Sequence, residues 1–373
     1  MCTACQVSVA MENGEDAAAE RFADRLLGTI NEAGLGLMLS VGHRTGLFEA
    51  MRGDRWVTSA ELAGLAGLEE RYVREWLGAM ATGGVVEVES VEDGPIGGPT
   101  SDRYRLPSAH RGVLSREGEG MAALFQWIAT LAEVETEVVR AFREGGGVGY
   151  ERFSRFHAVM AEESAATVVA GLEEHIIPMV PGLMDRLTEG ITVLDIGCGS
   201  GRAVCELAAR FPSSRFVGYD LSDEAIGSAR AEAERLGLRN AAFEVRDVSA
   251  LEDQGVFDLV TGFDVIHDQR DPAGVLGVVR RALKPGGVFL MQDLRADSRV
   301  GGNLDHPLCP FLYTISAMHC MTVSLAQGGA GLGAVWGEQL AVRMLEDAGF
   351  KDLRVETLPH DIQNNWYVMR APS

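Results

Sequence analysis

One run of ten residues constrains this chain more than any other: Val193-Leu194-Asp195-Ile196-Gly197-Cys198-Gly199-Ser200-Gly201-Arg202. A short apolar stretch containing an acid leads into three glycines at alternate positions, and residues 203–210 read as a helix. Strand, glycine turn, helix is how a nucleotide-binding βαβ unit begins. The glycines permit backbone angles that a Cβ forbids and allow close approach to a ligand. Their spacing is G-x-G-x-G, whereas the dinucleotide fingerprint is G-x-G-x-x-G and seats a pyrophosphate on the helix N-terminus. Asp195 would repel a pyrophosphate; its carboxylate suits a cationic ligand.

The residues beyond it continue the same unit. Arg215-Phe216-Val217-Gly218-Tyr219-Asp220 reads as a second strand ending in an acid. Asp220 follows the glycines by about twenty residues, the spacing at which an acid grips ribose hydroxyls. Ala242-Phe243-Glu244-Val245 reads as a third strand, followed by Arg246-Asp247-Val248; Asp258-Leu259-Val260-Thr261-Gly262-Phe263 reads as a fourth. Leu283-Lys284-Pro285-Gly286-Gly287-Val288-Phe289-Leu290 leads into a fifth, and Leu353-Arg354-Val355-Glu356 and Trp366-Tyr367-Val368-Met369 read as the last two.

The glycine run, the spaced acids and the L-K-P-G-G turn together resemble the class I S-adenosylmethionine (SAM) methyltransferases. That resemblance implies an α/β fold: a Rossmann-like, seven-stranded domain at residues 190–373 whose last two strands form an antiparallel hairpin. It implies SAM as cofactor and S-adenosylhomocysteine as product. By the same resemblance the cofactor site takes in Asp195, Gly197, Cys198, Gly199, Gly201, Asp220, Leu221, Asp247, Val248 and Phe263. Asp195 faces the amino-acid end of SAM, and Asp247 pairs with the adenine amino group.

The N-terminal part reads differently. Residues 1–19 are small and polar-acidic, which predicts a loose segment. Phe22, Leu26, Leu27 and Ile30, then Leu35, Leu37, Met38 and Val41, recur at helical spacing. Gly34, Gly36 and Gly42 weaken the second of these helices but admit a close neighbour. Thr58-Ser59-Ala60-Glu61 is a helix start. Residues 69–82 carry Val73, Trp76, Leu77 and Met80 on one face, and residues 85–88 and 104–106 read as a hairpin. Helices followed by a hairpin form a winged-helix pattern over residues 20–116. Its would-be recognition helix sets Glu69, Glu70 and Glu75 against Arg71 and Arg74, without the clustered basic residues of a DNA reader. Small-molecule O-methyltransferases use such a domain for dimerisation, and the domain order here is similar: winged helix, connecting helices, catalytic domain. The whole chain resembles the bacterial winged-helix "methyltransferase type 12" group. A homodimer is therefore expected, with a SAM-sensing winged-helix regulator as the alternative reading.

Residues 117–189 read as linker helices placed to roof the site, with Phe125, Trp127, His157, Met160 and His175 as roof candidates. Residues 296–335 are apolar and sulfur-rich; so long a segment beyond a strand end of an α/β sheet usually covers a site. It reads as a lid contributing Tyr313, His319 and Cys320. With Trp127, His175 and Trp336 these make up the expected substrate contacts, facing a small hydrophobic or aromatic metabolite.

Chemistry is expected at Phe263-Asp264-Val265-Ile266-His267-Asp268, directly after the fourth strand. An imidazole of ordinary pKa ~6.5 can accept a proton near neutrality. The stretch partly resembles the L-H-D-W segment of small-molecule O-methyltransferases, whose His is the base; Gln269 stands in place of the Trp. His267 is thus the expected general base and Asp268 its orienting partner, with O-methylation favoured over S- or N-methylation.

Bulk properties narrow the partners. The net charge of −21 argues against nucleic acid and anionic membranes, which are bound through basic patches. No signal-like segment opens the chain and no apolar run approaches the ~20 residues of a membrane span, so a cytoplasmic protein is expected. The six cysteines make no disulfide framework in a chain of this length. Cys2 and Cys5 form a C-x-x-C with no second pair, and nothing compels Cys2, Cys309 and Cys320 to converge on arsenite. No metal is expected.

Overall fold

The computed structural model describes residues 3–90, 102–117 and 120–373, with residues 3–15 described by their backbone alone. The chain divides into two compact units, Met1–Ala129 and Thr130–Ser373.

The first unit opens with one helix, Thr3–Thr45. The expected loose segment and two separate helices are thus a single rod in the described backbone, unbroken by Gly34 and Gly36. Gly42 is needed for packing: a Cβ there would strike Trp76 and Phe48. Helices Leu47–Ala50, Ser59–Ala66 and Glu70–Thr82 follow. The Thr58 signal is a full capping box, in which Thr58 accepts from the Glu61 N–H and the Glu61 carboxylate accepts from the Thr58 N–H. Strands β1 (Glu87–Glu89) and β2 (Arg103–Arg105) pair antiparallel as the wing, with Val88 opposite Tyr104. Leu47 and Phe48 lie in this unit's core with Leu62, Trp76, Leu77 and Met80.

The second unit is built on seven strands: β3 (Thr192–Ile196), β4 (Arg215–Asp220), β5 (Ala241–Val245), β6 (Phe257–Phe263), β7 (Leu283–Leu294), β8 (Lys351–Leu358) and β9 (Asp361–Arg370). Their order is β5-β4-β3-β6-β7-β9-β8, parallel except for β9, which runs antiparallel to both neighbours. Neighbouring residues along a strand enter opposite cores. Val193, Phe216 and Leu259 pack on one face, while Leu194, Val217 and Val260 pack on the other. Both faces are covered, which is why the central strands read as apolar runs without alternation. Strand order reverses on either side of β3, so the carboxyl ends of β3, β4 and β6 enclose a crevice.

The expected lid is helical in the structure. It contains Cys309–Ile315, a π-helical turn Ser316–Cys320, and Met321–Ala326. The stretch Cys309–Ala326 is long and apolar enough to cross a membrane by length and composition. Val323 is nonetheless in a core with Val134, Val138, Val148 and Phe153.

Candidate active site

The glycine loop leaves β3 with Gly197 at φ 63°, Gly199 at φ 52° and Gly201 at φ 71°, a region that side chains with a Cβ rarely enter. A Cβ on Gly197 would strike Val265, and one on Gly201 would strike Phe243 and Ala229; at Gly199 it would meet open space. Packing therefore demands the outer two glycines, while the middle one borders a cavity. Strand β4 holds the loop in place: Asp220 accepts the Gly199 N–H on Oδ2 and the Ser222 N–H on Oδ1, each at 2.9 Å. Cys198 donates its N–H to the Tyr219 carbonyl at 3.0 Å. From β6, the Thr261 hydroxyl donates to Asp195 Oδ1 at 2.7 Å. Burial pushes the Asp195 carboxyl up to about 7, against the Thr261 bond, with the Asp220 charge adding to the rise.

Loop and strand ends floor a cavity of about 510 Å³, within the usual range for ligand sites. Asp195, Gly197, Cys198, Gly199, Asp220, Leu221, Val248 and Phe263 border it. Two expected cofactor residues do not. Gly201 is packed beneath the start of helix Arg202–Arg210. Asp247 is exposed and caps the turn Val248–Ala250, accepting from the Ser249 N–H at 2.8 Å and from its hydroxyl at 2.7 Å.

The opposite wall comes from the turn Tyr150–Arg152 and the helix Phe156–Ser164. His157 and Met160 border the cavity as roof residues, joined by Tyr150, Phe153, Phe156 and Glu163, which sequence reasoning missed. Phe156, Met160, Glu163 and Thr167 recur at helical spacing, a signal that was present but ambiguous between core and site.

His267 sits behind the wall rather than on it. It is 2% exposed and lies between two carboxylates. Its Nδ1 donates to Asp293 Oδ1 at 2.7 Å, and its Nε2 is 3.2 Å from Asp268 Oδ1, outside hydrogen-bond alignment. Burial alone would lower its pKa, but Asp293 and Asp268 outweigh that and hold it well above the usual histidine value. Asp268 does border the cavity; its Oδ2 accepts the Tyr150 hydroxyl at 3.0 Å. Asp293 Oδ1 also accepts from the Trp336 indole at 3.0 Å and the Leu294 N–H at 2.8 Å. His267, Asp268 and Cys320, and likewise Asp264, His267 and Asp293, bring potential ligand atoms within 4.8 Å of one another. With the imidazole between carboxylates, the set reads as a buried ion cluster.

None of the six expected substrate contacts borders the cavity. Trp127 is fully buried and belongs to the first unit. His175 stacks on His360 with centroids 4.7 Å apart. Tyr313 is partly exposed and accepts from Asn303 Nδ2 at 3.3 Å. His319 is buried and stacks on Phe156 at 3.9 Å, and burial lowers its pKa to about 4. Burial pushes the Cys320 thiol up to about 12, and Trp336 is committed to Asp293. His319 thus supports the wall from behind. Cys309 is buried like Cys320, while Cys2 and the Cys5 side chain lie outside the described residues.

Comparisons with known proteins agree with this architecture. Residues 187–349 match a family model described as a methyltransferase domain, and residues 33–116 match the Rv2258c-like winged HTH domain. An arsenite methyltransferase from Aquipseudomonas alcaligenes is 36% identical over 135 residues, 34% of this chain and 38% of that protein. A trans-aconitate 2-methyltransferase from Methylobacterium radiotolerans is 30% identical over 163 residues, 43% of this chain and 54% of that protein. The chain therefore spans about half or less of these relatives' length. Among solved structures, human N-acetylserotonin methyltransferase in complex with SAM superposes with a TM-score of 0.66 at 18% identity, covering 94% of this chain and 98% of that one. Residues 187–349 thus form a methyltransferase domain with the fold of these structures, preceded by a winged HTH domain at residues 33–116.

Proposed function

We propose that this protein transfers a methyl group from SAM to an oxygen of a small, apolar or aromatic metabolite. The observation that carries this reading is the cradle around Gly199: a backbone open to the cavity, Asp220 beneath it, and the buried acid Asp195 beside it. A ligand with a cationic amino-acid end and ribose hydroxyls fits that donor set. Asp195 would face the ammonium; Asp220, reached through Gly199 and Leu221, the ribose; Val248 the adenine; and Phe263 and Cys198 the body of the cofactor. When bound, SAM supplies an activated methyl, so much of the enzyme's task is positioning, worth ~7–11 kcal/mol.

The remaining proton is handled by Asp268 and His267 together. Asp268 presents its carboxylate to the cavity, and His267 anchors it from behind while tied to Asp293. This moves the acceptor-facing role to Asp268 and keeps His267 as the charged partner that orients it.

The winged helix serves assembly in this reading, and the protein is a homodimer. The arginines of its helix Glu70–Thr82 pair within the helix, Arg71 with Glu75 and Arg74 with Glu70, which supports assembly over DNA binding. The test is calorimetry with S-adenosylhomocysteine, followed by SAM-consumption screening over phenols, thiols and amines. Binding together with turnover on a hydroxylated acceptor is the expected result. Binding without turnover on any acceptor, joined to a salt-resistant gel shift on DNA, would favour the sensor instead.

A further inference from the structure

The cofactor partners proposed above follow the ends of β3, β4 and β5 and stop at Phe263, the last residue of β6. That leaves the part of the cavity over the ends of β6 and β7 for the acceptor, and its two walls differ in character. On one side stand Tyr150, Phe153 and Phe156, with ring centroids 5.8 Å apart for Tyr150–Phe156 and 6.5 Å for Phe153–Phe156. On the other stand the carboxyls of Asp264 and Asp268, with Glu163 reaching in from the helix above. The two guanidiniums that border the cavity lie toward the cofactor end. Arg202 opens the helix after the glycine loop, and Arg246 follows β5, donating to the Tyr219 hydroxyl at 3.0 Å and pairing with Asp253 at 3.5 Å.

Asp264 is the most telling of the three acids. It is a non-glycine residue at φ 51°, a conformation that costs energy and recurs at functional sites. Gln292 Nε2 donates to its Oδ2 at 2.9 Å, while its buried Oδ1 has no hydrogen-bond partner. Asp268, 7% exposed, has its Oδ1 3.2 Å from His267 Nε2, outside hydrogen-bond alignment. Burial and the nearby Asp293 charge hold the Asp264 carboxyl well above the usual carboxylate range; an arriving cation would restore its charge. Aromatic faces and carboxylates both attract an ammonium. An anionic acceptor would meet three acids there, with the charged His267 already engaged between Asp268 and Asp293.

Resting on the methyltransferase reading, we infer that the acceptor is an aromatic molecule carrying a protonated amine as well as its nucleophilic oxygen. The ring lies against Tyr150, Phe153 and Phe156, and the ammonium faces Asp264 and Glu163. The test compares three matched phenols by calorimetry on the full chain, with and without S-adenosylhomocysteine: tyramine, para-ethylphenol and para-hydroxyphenylacetate. Tyramine should bind roughly tenfold or more tighter than the carboxylate, with the neutral phenol between them. Asp264→Asn should bring tyramine close to para-ethylphenol while S-adenosylhomocysteine affinity stays unchanged. Glu163→Gln, on a different element, should shift the order the same way if Asp264→Asn does not fold. An equal or reversed order, or no tyramine binding at millimolar concentration, overturns the inference. Failure of S-adenosylhomocysteine to bind overturns the methyltransferase reading instead, and the ligand order without it still decides this one.

Discussion

Asp220 reaches back to the glycine loop and takes the Gly199 N–H on its Oδ2 at 2.9 Å. One carboxylate thus shapes the loop and presents itself at the cavity floor. Hydrogen bonds to charged groups contribute ~1.5–3 kcal/mol each. Asp220→Ala should therefore weaken S-adenosylhomocysteine binding roughly tenfold or more by calorimetry. It should also lower the melting temperature, because the Gly199 and Ser222 N–H groups lose their acceptor. Unchanged affinity would remove Asp220 from the cofactor site.

Asp195 makes cofactor affinity depend on pH. Its carboxyl titrates near 7 in the empty site, chiefly because it is buried. A cationic ligand binds the ionised form, so below that value binding must expel a proton. Affinity for S-adenosylhomocysteine should be level above pH ~7 and fall up to about tenfold per unit below it. In Asp195→Asn the slope should disappear. A slope that survives the substitution would mean that another group titrates.

The βαβ unit was legible because its signals are local. The glycine loop, the acid ending β4 and the apolar β3 each sit within a few residues of sequence. The surroundings of His267 were not, since its carboxylate partner Asp293 lies on β7, and Trp336 and Tyr150 come from further still along the chain. An imidazole after a strand end looks like a free base until those partners converge. The same reason misplaced the substrate contacts. His319 and Trp336 carry the right chemistry but spend it on Phe156 and Asp293, and no periodicity separates a wall residue from the one bracing it. Asp247 had the right spacing for a ligand contact, yet local capping claims its carboxylate.

The long N-terminal helix carries Phe22, Leu26, Leu27 and Ile30, each more than half exposed. Apolar patches of this kind mark interfaces, and a two-fold dimer is the commonest outcome. Light scattering on the full chain should return a dimer at micromolar concentration. The double substitution Leu26→Glu, Ile30→Glu should return a folded monomer. Neither side chain is buried in the chain itself, so the fold loses no core packing. A double variant that keeps its mass would show that this stripe is not the contact.

His267 separates a free base from a buried ion partner. A free base would place an inflection in the pH–rate profile near the ordinary histidine value of ~6.5. Held between Asp293 and Asp268, His267 keeps its proton well above that, so the parent profile should show no inflection there. Its folded pKa lies above the unfolded value. The stability it contributes is therefore complete below pH ~6.5 and lost only as pH climbs through the raised value. His267→Ala leaves two carboxylates facing each other without their cation. Breaking a buried pair costs ~3–5 kcal/mol, so the variant should melt at a lower temperature, with the gap to the parent narrowing at alkaline pH. Turnover should fall by ~10²–10⁴, because Asp268 loses its anchor, while S-adenosylhomocysteine affinity should stay near the parental value. His267→Gln, which can still donate to a carboxylate, should recover part of the stability but not the parental rate. An inflection near 6.5 in the parent that vanishes in His267→Ala would show instead that the cluster opens during turnover and that the imidazole itself takes the acceptor's proton.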